Sequence, residues 1–257
     1  MYNVTPVRAF SDNYIWVIST PDSTQVAVVD PGDAAPVQTY LDAQGLSLCA
    51  ILITHHHNDH TGGVAALTEG QSIPVYGPAS SPFKGINRPL KGGDRISLLG
   101  TELEIAEVPG HTLDHISYFS RTGQPQLFCG DTLFLAGCGR LFEGTAEQML
   151  NAMNYFAGLP DDTEVYCTHE YSLANLAFAE AVEPGNHDIE AAIEQCTQLR
   201  HQDKPTLPSN LAQEKRINPF MRTDRQSVIN AANRFSSDAL HTQTEVFAAI
   251  REWKNQF

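Results

Sequence analysis

Short apolar runs separated by turn residues fill the first two thirds of the chain, a pattern typical of β-strands joined by turns. Between them, apolar residues recur at helical spacing, which predicts helices over Ala34–Gln44, 61–69 and Thr145–Ala157. We predict strands at Val4–Phe10, Tyr14–Ile18, Gln25–Asp30, Cys49–Thr54, Pro74–Tyr76, Asp94–Ser97, Thr101–Val108, His115–Ser120, Gln126–Cys129 and Glu164–Cys167. The mixture of strands and helices predicts an α/β domain.

From Tyr171 onward the apolar spacing is helical almost throughout. Helices are predicted at Leu173–Val182, Ile189–Gln202, 224–233 and 242–256, with a proline-punctuated stretch at 205–223. This change of pattern predicts two domains: an α/β catalytic domain over residues 1–170 and a smaller all-helical domain over residues 171–257.

The composition is that of an ordinary globular enzyme, since 42% of the 257 residues are apolar and 18% are charged. No apolar run reaches the roughly 18 residues that a membrane-spanning helix needs. The segment Met1–Pro6 lacks the basic and apolar regions of a signal peptide. The five cysteines show no paired spacing, which is typical of reduced thiols. We therefore expect a cytoplasmic protein that does not bind a membrane.

The net charge of -14 is carried by residues 1–183, whereas residues 184–257 contain equal numbers of acidic and basic side chains. An acidic surface disfavours nucleic acid as a partner, because phosphate binding needs basic residues. The balanced C-terminal part could still collect an anionic substrate.

The densest chemical signal is a heptapeptide that follows an apolar run: Thr54-His55-His56-His57-Asn58-Asp59-His60. Histidine and carboxylate side chains are the ligands that Zn²⁺ and similar metals prefer. Residues two apart point to different sides of a helix, so His55 and His57 can share a metal only on a loop. We therefore predict a strand that ends at Thr54, a ligand loop, and a helix from Thr61. The alternative is a polar surface loop.

Three later loops place ligand-type residues directly after predicted strands: His111, Asp131 and His169. Sites in layered α/β proteins are commonly built from loops at one end of the sheet. A single histidine after a strand is more often structural than a ligand. These three residues therefore indicate a metal site only in combination with the heptapeptide.

In this order, the four motifs resemble the signature of the metallo-β-lactamase superfamily, His-x-His-x-Asp-His followed by separate His, Asp and His residues. The resemblance implies an α/β (α+β) fold, a four-layer αββα sandwich that holds two divalent metal ions. It implies two ligand sets and a shared carboxylate: His55, His57 and His111; Asp59, His60 and His169; and Asp131 as the bridge. The implied catalytic groups are Asp59, Asp131 and a hydroxide between the metals. Zn is the expected metal, with Fe or Mn as alternatives that suit the same ligands.

A two-metal site suits the hydrolysis of an activated acyl group, because it lowers the pKa of water and polarises a carbonyl. A thioester needs little help from a general acid, since its leaving thiol has a pKa of about 8.5. The sequence offers no obvious acid beyond Asp59. Thioester hydrolysis is therefore the favoured reaction.

Three further segments resemble the hydroxyacylglutathione hydrolases (glyoxalase II): 132–140, 169–186 and 251–257. The resemblance implies conversion of S-(2-hydroxyacyl)glutathione, typically S-lactoylglutathione, to glutathione and a 2-hydroxy acid such as lactate, in methylglyoxal detoxification. The implied contacts to the glutathione part are Arg140, Tyr171, Arg251 and Lys254. Phe142 stands where some members have Tyr, so we expect no polar contact from it.

The pair Arg251 and Lys254 also has a physical argument of its own. Residues three apart share one face of a helix, and two cations there can hold a substrate carboxylate. The alternative is that they are ordinary solvated charges near a helix C-terminus.

Other functions within the superfamily stay open at this point. A persulfide dioxygenase with one iron is disfavoured by residues 171–257, and a lactam hydrolase by Asp131, where that class usually has Cys. A nuclease is disfavoured by the acidic charge. A non-catalytic binding module is disfavoured because no ligand position is missing. We expect a monomer that acts on a small-molecule glutathione thioester.

Overall fold

The computed structural model describes residues 2–21 and 23–257, so Met1 and Asp22 lie outside the described residues. The described residues form two units. The first unit contains the described residues up to Val108 together with Asp114–Gly130. The second contains Pro109–Leu113 and Asp131–Phe257, so the segment that carries His111 belongs to the second unit.

A six-stranded sheet opens the first unit, with its strands in chain order. The first three strands are antiparallel, and the fourth to sixth continue the sheet in parallel. These strands are β1 (Asn3–Ala9), β2 (Asn13–Ser19), β3 (Gln25–Val29), β4 (Ser47–Leu52), β5 (Val75–Pro78) and β6 (Arg88–Leu90).

Both faces of this sheet are covered. Val26 and Val28 of β3 are fully buried in a cluster with Val37 and Leu41 of helix α1 (Ala34–Gln44). Trp16 and its neighbours on the opposite face are also buried. A continuous apolar run is the expected sequence of a strand that is covered on both faces.

Four antiparallel strands of this unit belong to the second six-stranded sheet: β7 (Arg95–Leu98), β8 (Thr101–Glu107), β9 (Ile116–Ser120) and β10 (Gln126–Gly130). The Tyr118 hydroxyl of β9 donates to the carbonyl of Ile53, 2.8 Å away. The Tyr2 hydroxyl donates to the carbonyl of Leu98, 2.7 Å away. These bonds join the two sheets face to face, with α1 on the outer side of the first.

The second unit is mostly helical. Its helices are α4 (Ala146–Ala157), α5 (Ser172–Val182), α6 (His187–His201), α7 (Leu211–Ile217), α8 (Gln226–Ser236) and α9 (Gln243–Gln256), with a 3₁₀ turn at Pro219–Met221. Its strands are β11 (Leu133–Phe134), β12 (Gly137–Cys138), β13 (Glu164–Cys167) and β14 (Ser209–Asn210). Thr145 begins α4 and Thr242 begins α9, each as part of a capping box that satisfies the first N–H groups of the helix.

The sequence prediction differs from the structure in its short elements. The predicted helix over 61–69 is two short helices, α2 (Asn58–Thr61) and α3 (Val64–Thr68), and α2 begins within the predicted ligand loop. Strand β6 lies in a stretch predicted as loop, and the hairpin β11–β12 and β14 were not predicted. Elements of two to five residues carry too little periodicity to be recognised.

In the part of the chain that the structure describes, no helix is both long enough and apolar enough to span a membrane.

Candidate metal centre

The heptapeptide leaves the end of β4 and turns directly into α2. His55 and His60 are fully buried, whereas His57 and Asp59 are partly exposed. His57 is the last residue before α2, and Asp59 and His60 lie in its single turn. The loop conformation from 55 to 57 thus brings together two histidines that a helix would separate.

The four ligand-type residues of this loop form two pairs. His55 Nε2 lies 3.1 Å from His57 Nδ1, so two ring nitrogens converge at one point. His60 Nε2 lies 3.5 Å from Asp59 Oδ2. The pairing within the first unit matches the division between two metals that the sequence resemblance implies.

Asp30 holds this loop from beneath. Its carboxylate accepts from the Thr54 N–H at 2.8 Å and from the Thr54 hydroxyl at 2.7 Å. His60 Nδ1 lies 3.0 Å from Asp30 Oδ2, and both side chains are buried. A proton on Nδ1 that is donated to Asp30 leaves the lone pair on Nε2, the arrangement that metal-binding histidines use. From the sequence, Asp30 is recognisable only as the end of a strand.

Two further histidines of the first unit, His115 and His56, lie beside the ligand-type residues of the loop but belong to neither of the two pairs. His115 is fully buried, and its ring stacks on that of His55 with a centroid distance of 4.6 Å. His56 points to Asp114, with 2.9 Å between Nδ1 and Oδ1. The extra histidines therefore fix the shape of the loop.

Asp59 is oriented from a second direction. The Asn13 amide donates to Asp59 Oδ2 at 3.1 Å. The backbone of Gly32 approaches the Asp59 carbonyl so closely that a Cβ at position 32 would lie 1.8 Å from that oxygen. Gly32 is therefore required for the approach of the two segments.

The second unit presents a carboxylate between two histidines. Asp131 Oδ2 lies 3.5 Å from His111 Nε2 and 3.3 Å from His169 Nε2. All three side chains are buried. A single carboxylate that faces two imidazoles from different loops is the arrangement expected of a group that serves two metals.

His111 is fixed through its other ring nitrogen. Its Nδ1 donates to the carbonyl of Arg140 at 2.8 Å, which leaves the lone pair on Nε2. The Phe142 N–H donates to the His111 carbonyl, and the Leu113 N–H donates to the Glu143 carboxylate. A Cβ at Gly139 would lie 1.9 Å from the Asp131 carbonyl oxygen, so this segment also needs a glycine.

Aromatic rings flank these histidines. The ring of Tyr171 stacks on that of His169, with centroids 4.7 Å apart and planes 4° apart. Tyr171 is 39% exposed and Phe142 is 62% exposed, so both can meet a ligand from solvent. Arg140 is exposed as well.

The two cations of the last helix have different surroundings. Arg251 is buried, and its Nη1 donates to the carbonyl of Cys138 at 2.9 Å. Lys254 donates to the carbonyl of Ala174 at 2.9 Å and lies over the ring of Phe178. Partial burial, together with the charge of Arg251, lowers the pKa of Lys254 to about 8.

A cavity of about 540 Å³ lies beside the C-terminal end of α5. It is lined by Glu183, Arg216, Arg222 and their neighbours. Glu183 accepts from Arg222 at 2.6 and 2.9 Å, and Arg216 donates to Asp188 at 3.1 Å. The 11 residues of α5 span about 16 Å. The cavity lies beside the C-terminal end of α5 and Tyr171 precedes its N-terminal end, so the two are separate.

The donor set fits divalent metals. His60 and His111 each present Nε2 because Nδ1 is used by a carboxylate or a carbonyl. Imidazole and carboxylate donors with such supporting bonds suit Zn²⁺, Fe and Mn²⁺. Each unit, taken by itself, thus presents histidine and aspartate donors that suit a divalent metal.

Comparison with known proteins covers nearly the whole chain. A family profile described as metallo-beta-lactamase superfamily matches residues 9–169, and one described as hydroxyacylglutathione hydrolase C-terminus matches residues 170–257. The hydroxyacylglutathione hydrolase of Nitrosomonas eutropha is 48% identical over 259 residues, which covers 100% of both chains. The protein of that name from Pseudomonas aeruginosa is 49% identical over 258 residues, again covering 100% of both. The crystal structure of ETHE1 from Myxococcus xanthus, 23% identical, has a TM-score of 0.64 and covers 99% of this chain and 98% of that one.

The fold and the histidine and aspartate motifs define a protein of the metallo-β-lactamase superfamily, whose profile matches more than half of the chain. The full-length relatives indicate which family within this superfamily the chain belongs to. The chain belongs to the hydroxyacylglutathione hydrolase family. The family and the fold class predicted from the sequence are confirmed.

Proposed function

We propose that this chain is a metal-dependent thioester hydrolase that converts S-(2-hydroxyacyl)glutathione, typically S-lactoylglutathione, to glutathione and a 2-hydroxy acid such as lactate. This reaction would serve methylglyoxal detoxification. The names of its full-length relatives support the substrate class. The observation that carries the chemistry is the position of Asp131 between His111 and His169.

We propose that seven residues hold two metal ions. The first set is His55, His57 and His111, the second is Asp59, His60 and His169, and Asp131 is common to both. Bound metals supply a nucleophilic hydroxide near neutral pH and polarise the thioester carbonyl. The two pairs in the heptapeptide and the two histidines facing Asp131 support this assignment.

The residues around the ligands have roles that follow from their bonds. Asp30 and the Arg140 carbonyl hold His60 and His111 in the tautomer that offers Nε2. Asp59, held by Asn13, is the proposed catalytic carboxylate that orients the nucleophile. The glutathione thiolate leaves without a general acid, because a thiol has a pKa of about 8.5.

Arg140, Tyr171, Arg251 and Lys254 are proposed to bind the peptide part of glutathione. Exposure of Arg140 and Tyr171 and the partial exposure of Lys254 support direct contact. The burial of Arg251 and its bond to the Cys138 carbonyl give it a supporting role beside any substrate contact. Phe142 offers no hydrogen bond to the substrate.

Zn is the proposed metal, and the same ligands suit Fe and Mn. The direct test is hydrolysis of S-lactoylglutathione by protein that has been stripped with a chelator and reloaded with each metal in turn. We expect no turnover after stripping, recovery with Zn²⁺, and two metal ions per chain by elemental analysis. One iron per chain, with oxygen uptake on glutathione persulfide, would instead identify a dioxygenase.

We also propose a cytoplasmic monomer with a catalytic part at 1–170 and a helical substrate-binding part at 171–257. All five cysteines are free thiols, as expected in a reducing compartment. The ranges matched by the two family profiles support the division near residue 170. Light scattering on the purified protein tests the monomer, because a mass near twice the 28.2 kDa of one chain would contradict it.

A further inference from the structure

A short hairpin connects one proposed metal ligand to the group that fixes another. Its strands β11 and β12 pair Leu133 with Cys138 and Phe134 with Gly137, and the loop is Leu135-Ala136. The hairpin begins two residues after Asp131 and ends two residues before Arg140, whose carbonyl accepts from His111 Nδ1. The hairpin therefore leads directly into the carbonyl that accepts from the His111 ring.

The hairpin has an unfavourable turn. Ala136 has a φ of 53°, in the left-handed region that a residue with a Cβ avoids. A pair of two-residue strands is too short to stabilise itself. Bonds from outside the hairpin must therefore hold this conformation.

Four buried side chains from the helical region supply those bonds, and each one reaches the hairpin backbone. Asn175 of α5 donates to the Leu135 carbonyl at 3.1 Å. Asn218, after α7, donates to the carbonyls of Phe134 and Gly137 at 3.2 and 2.9 Å. Arg251 of α9 donates to the Cys138 carbonyl. Because they contact backbone, these side chains fix the path of the hairpin whatever its own side chains are.

Glu214 of α7 makes the bond at the strained residue. Its Oε2 accepts from the Ala136 N–H at 2.9 Å and from the Asn218 amide at 3.0 Å. The side chain is fully buried. Burial raises the pKa of Glu214 to about 7, against the lowering effect of hydrogen bonds from Ser209, Asn218 and Ala136. An apolar side chain at this position would avoid the cost of burying a carboxyl group.

We infer that Glu214 is a positioning residue for His111: with Asn175, Asn218 and Arg251 it holds the hairpin Leu133–Cys138, and through it the Arg140 carbonyl that orients the His111 ring. The inference rests on the proposed role of His111 as a metal ligand. The observation behind it is that the one residue of the hairpin with a strained φ, Ala136, donates its N–H to this buried carboxyl group.

The test compares zinc affinity with stability. Glu214→Met fills the same volume but offers no acceptor to the Ala136 N–H. We expect zinc affinity, measured by competition with a chromophoric chelator, to fall about tenfold, as supporting bonds of metal ligands typically contribute. The melting temperature of the stripped protein should also fall, because the Ala136 N–H and the Asn218 amide lose their buried acceptor. Zinc affinity is therefore the measurement that decides. Glu214→Gln keeps an acceptor oxygen and should recover most of the affinity.

Glu183 is the matched control, since it is a buried glutamate of the same helical region that binds Arg222 and Ser227. Glu183→Met should lower the melting temperature, because it leaves Arg222 without its carboxylate, and should leave zinc affinity unchanged. A merely structural role for Glu214 would give the same result as this control.

Wild-type zinc affinity in Glu214→Met overturns the inference. If that variant does not fold, Asn175→Leu takes its place, because it removes only the bond to the Leu135 carbonyl, and wild-type affinity there has the same meaning. A wild-type protein that binds two zinc ions but does not hydrolyse S-lactoylglutathione contradicts the proposed function alone. The affinity comparison then still decides the role of Glu214.

Discussion

His60 Nδ1 lies 3.0 Å from Asp30 Oδ2, and neither side chain is accessible to solvent. The same carboxylate also accepts the N–H and hydroxyl of Thr54, at the point where β4 ends. One buried carboxylate thus fixes both a histidine tautomer and the start of the ligand loop. Asp30 has a φ of 52°, so backbone strain is retained at this position.

The first prediction is that Asp30→Asn lowers zinc affinity by about 10- to 100-fold, the range that supporting carboxylates of metal-bound histidines contribute. The amide has nearly the same shape and tolerates a positive φ, so the protein should fold. A zinc competition titration measures the effect. Asp33→Asn is the control, because Asp33 caps α1 and has no bond to the ligand loop. Equal affinities for the two variants would exclude Asp30 from the metal site.

A second prediction concerns the carboxylate between the two histidines. Asp131→Ala should reduce the bound metal to fewer than two ions per chain and reduce turnover by at least about a hundredfold, because it removes the proposed ligand common to both ions. Elemental analysis and the S-lactoylglutathione assay check the two parts separately. A variant that retains two ions and full turnover would show that the site has been assigned wrongly.

A third prediction follows from the lowered pKa of Lys254, about 8. The ammonium is charged below that pH and neutral above it, so substrate binding weakens as the pH rises. kcat/KM, which reports the pKa values of the free enzyme, should fall up to about tenfold between pH 7 and 9. In Lys254→Arg the cation cannot lose its proton, and this decrease should disappear. An unchanged decrease in the Arg variant would mean that another group causes it.

The fourth prediction uses the pKa of Glu214, raised from 4.5 to about 7. Below about pH 4.5 the carboxyl is protonated in both the folded and unfolded states. Between there and pH 7 only the unfolded state loses the proton, so the folded state becomes less stable as the pH rises. The loss is about 3 kcal/mol in total.

Glu214→Gln lacks this ionisation. Relative to wild type, it should therefore gain stability as the pH rises from about 5 to 8, as measured by urea unfolding in excess chelator. Cys196 does not titrate between pH 5 and 8, because burial, Glu170 and Glu214 raise its pKa to about 11. A stability difference that is independent of pH would show that the carboxyl is already ionised at pH 5.

Much of the site could be predicted because its residues follow strands and form a dense pattern. The heptapeptide at 54–60 and the histidines and aspartate after later strands identify the superfamily. The residues that hold them could not be predicted. Asp30 is the last residue of a predicted strand and Asn13 lies between two predicted strands, and only the folded chain brings them to His60 and Asp59.

The buried polar residues of the helical region could not be predicted either. Glu214 and Asn218 are four residues apart in a polar sequence, which is typical of a solvated helix face. In the structure both are fully buried, because the hairpin covers that face. Burial of this kind depends on tertiary contacts between distant segments, so local periodicity cannot predict it.

The bond from Arg251 to the Cys138 carbonyl spans 113 residues of sequence. It cannot form on a growing chain until α9, the last helix, has left the ribosome. During synthesis the hairpin lacks one of its four anchors even after Asp131, Arg140 and His169 have emerged. We therefore expect zinc to be captured with full affinity only after α9 has been synthesised and has packed against the hairpin.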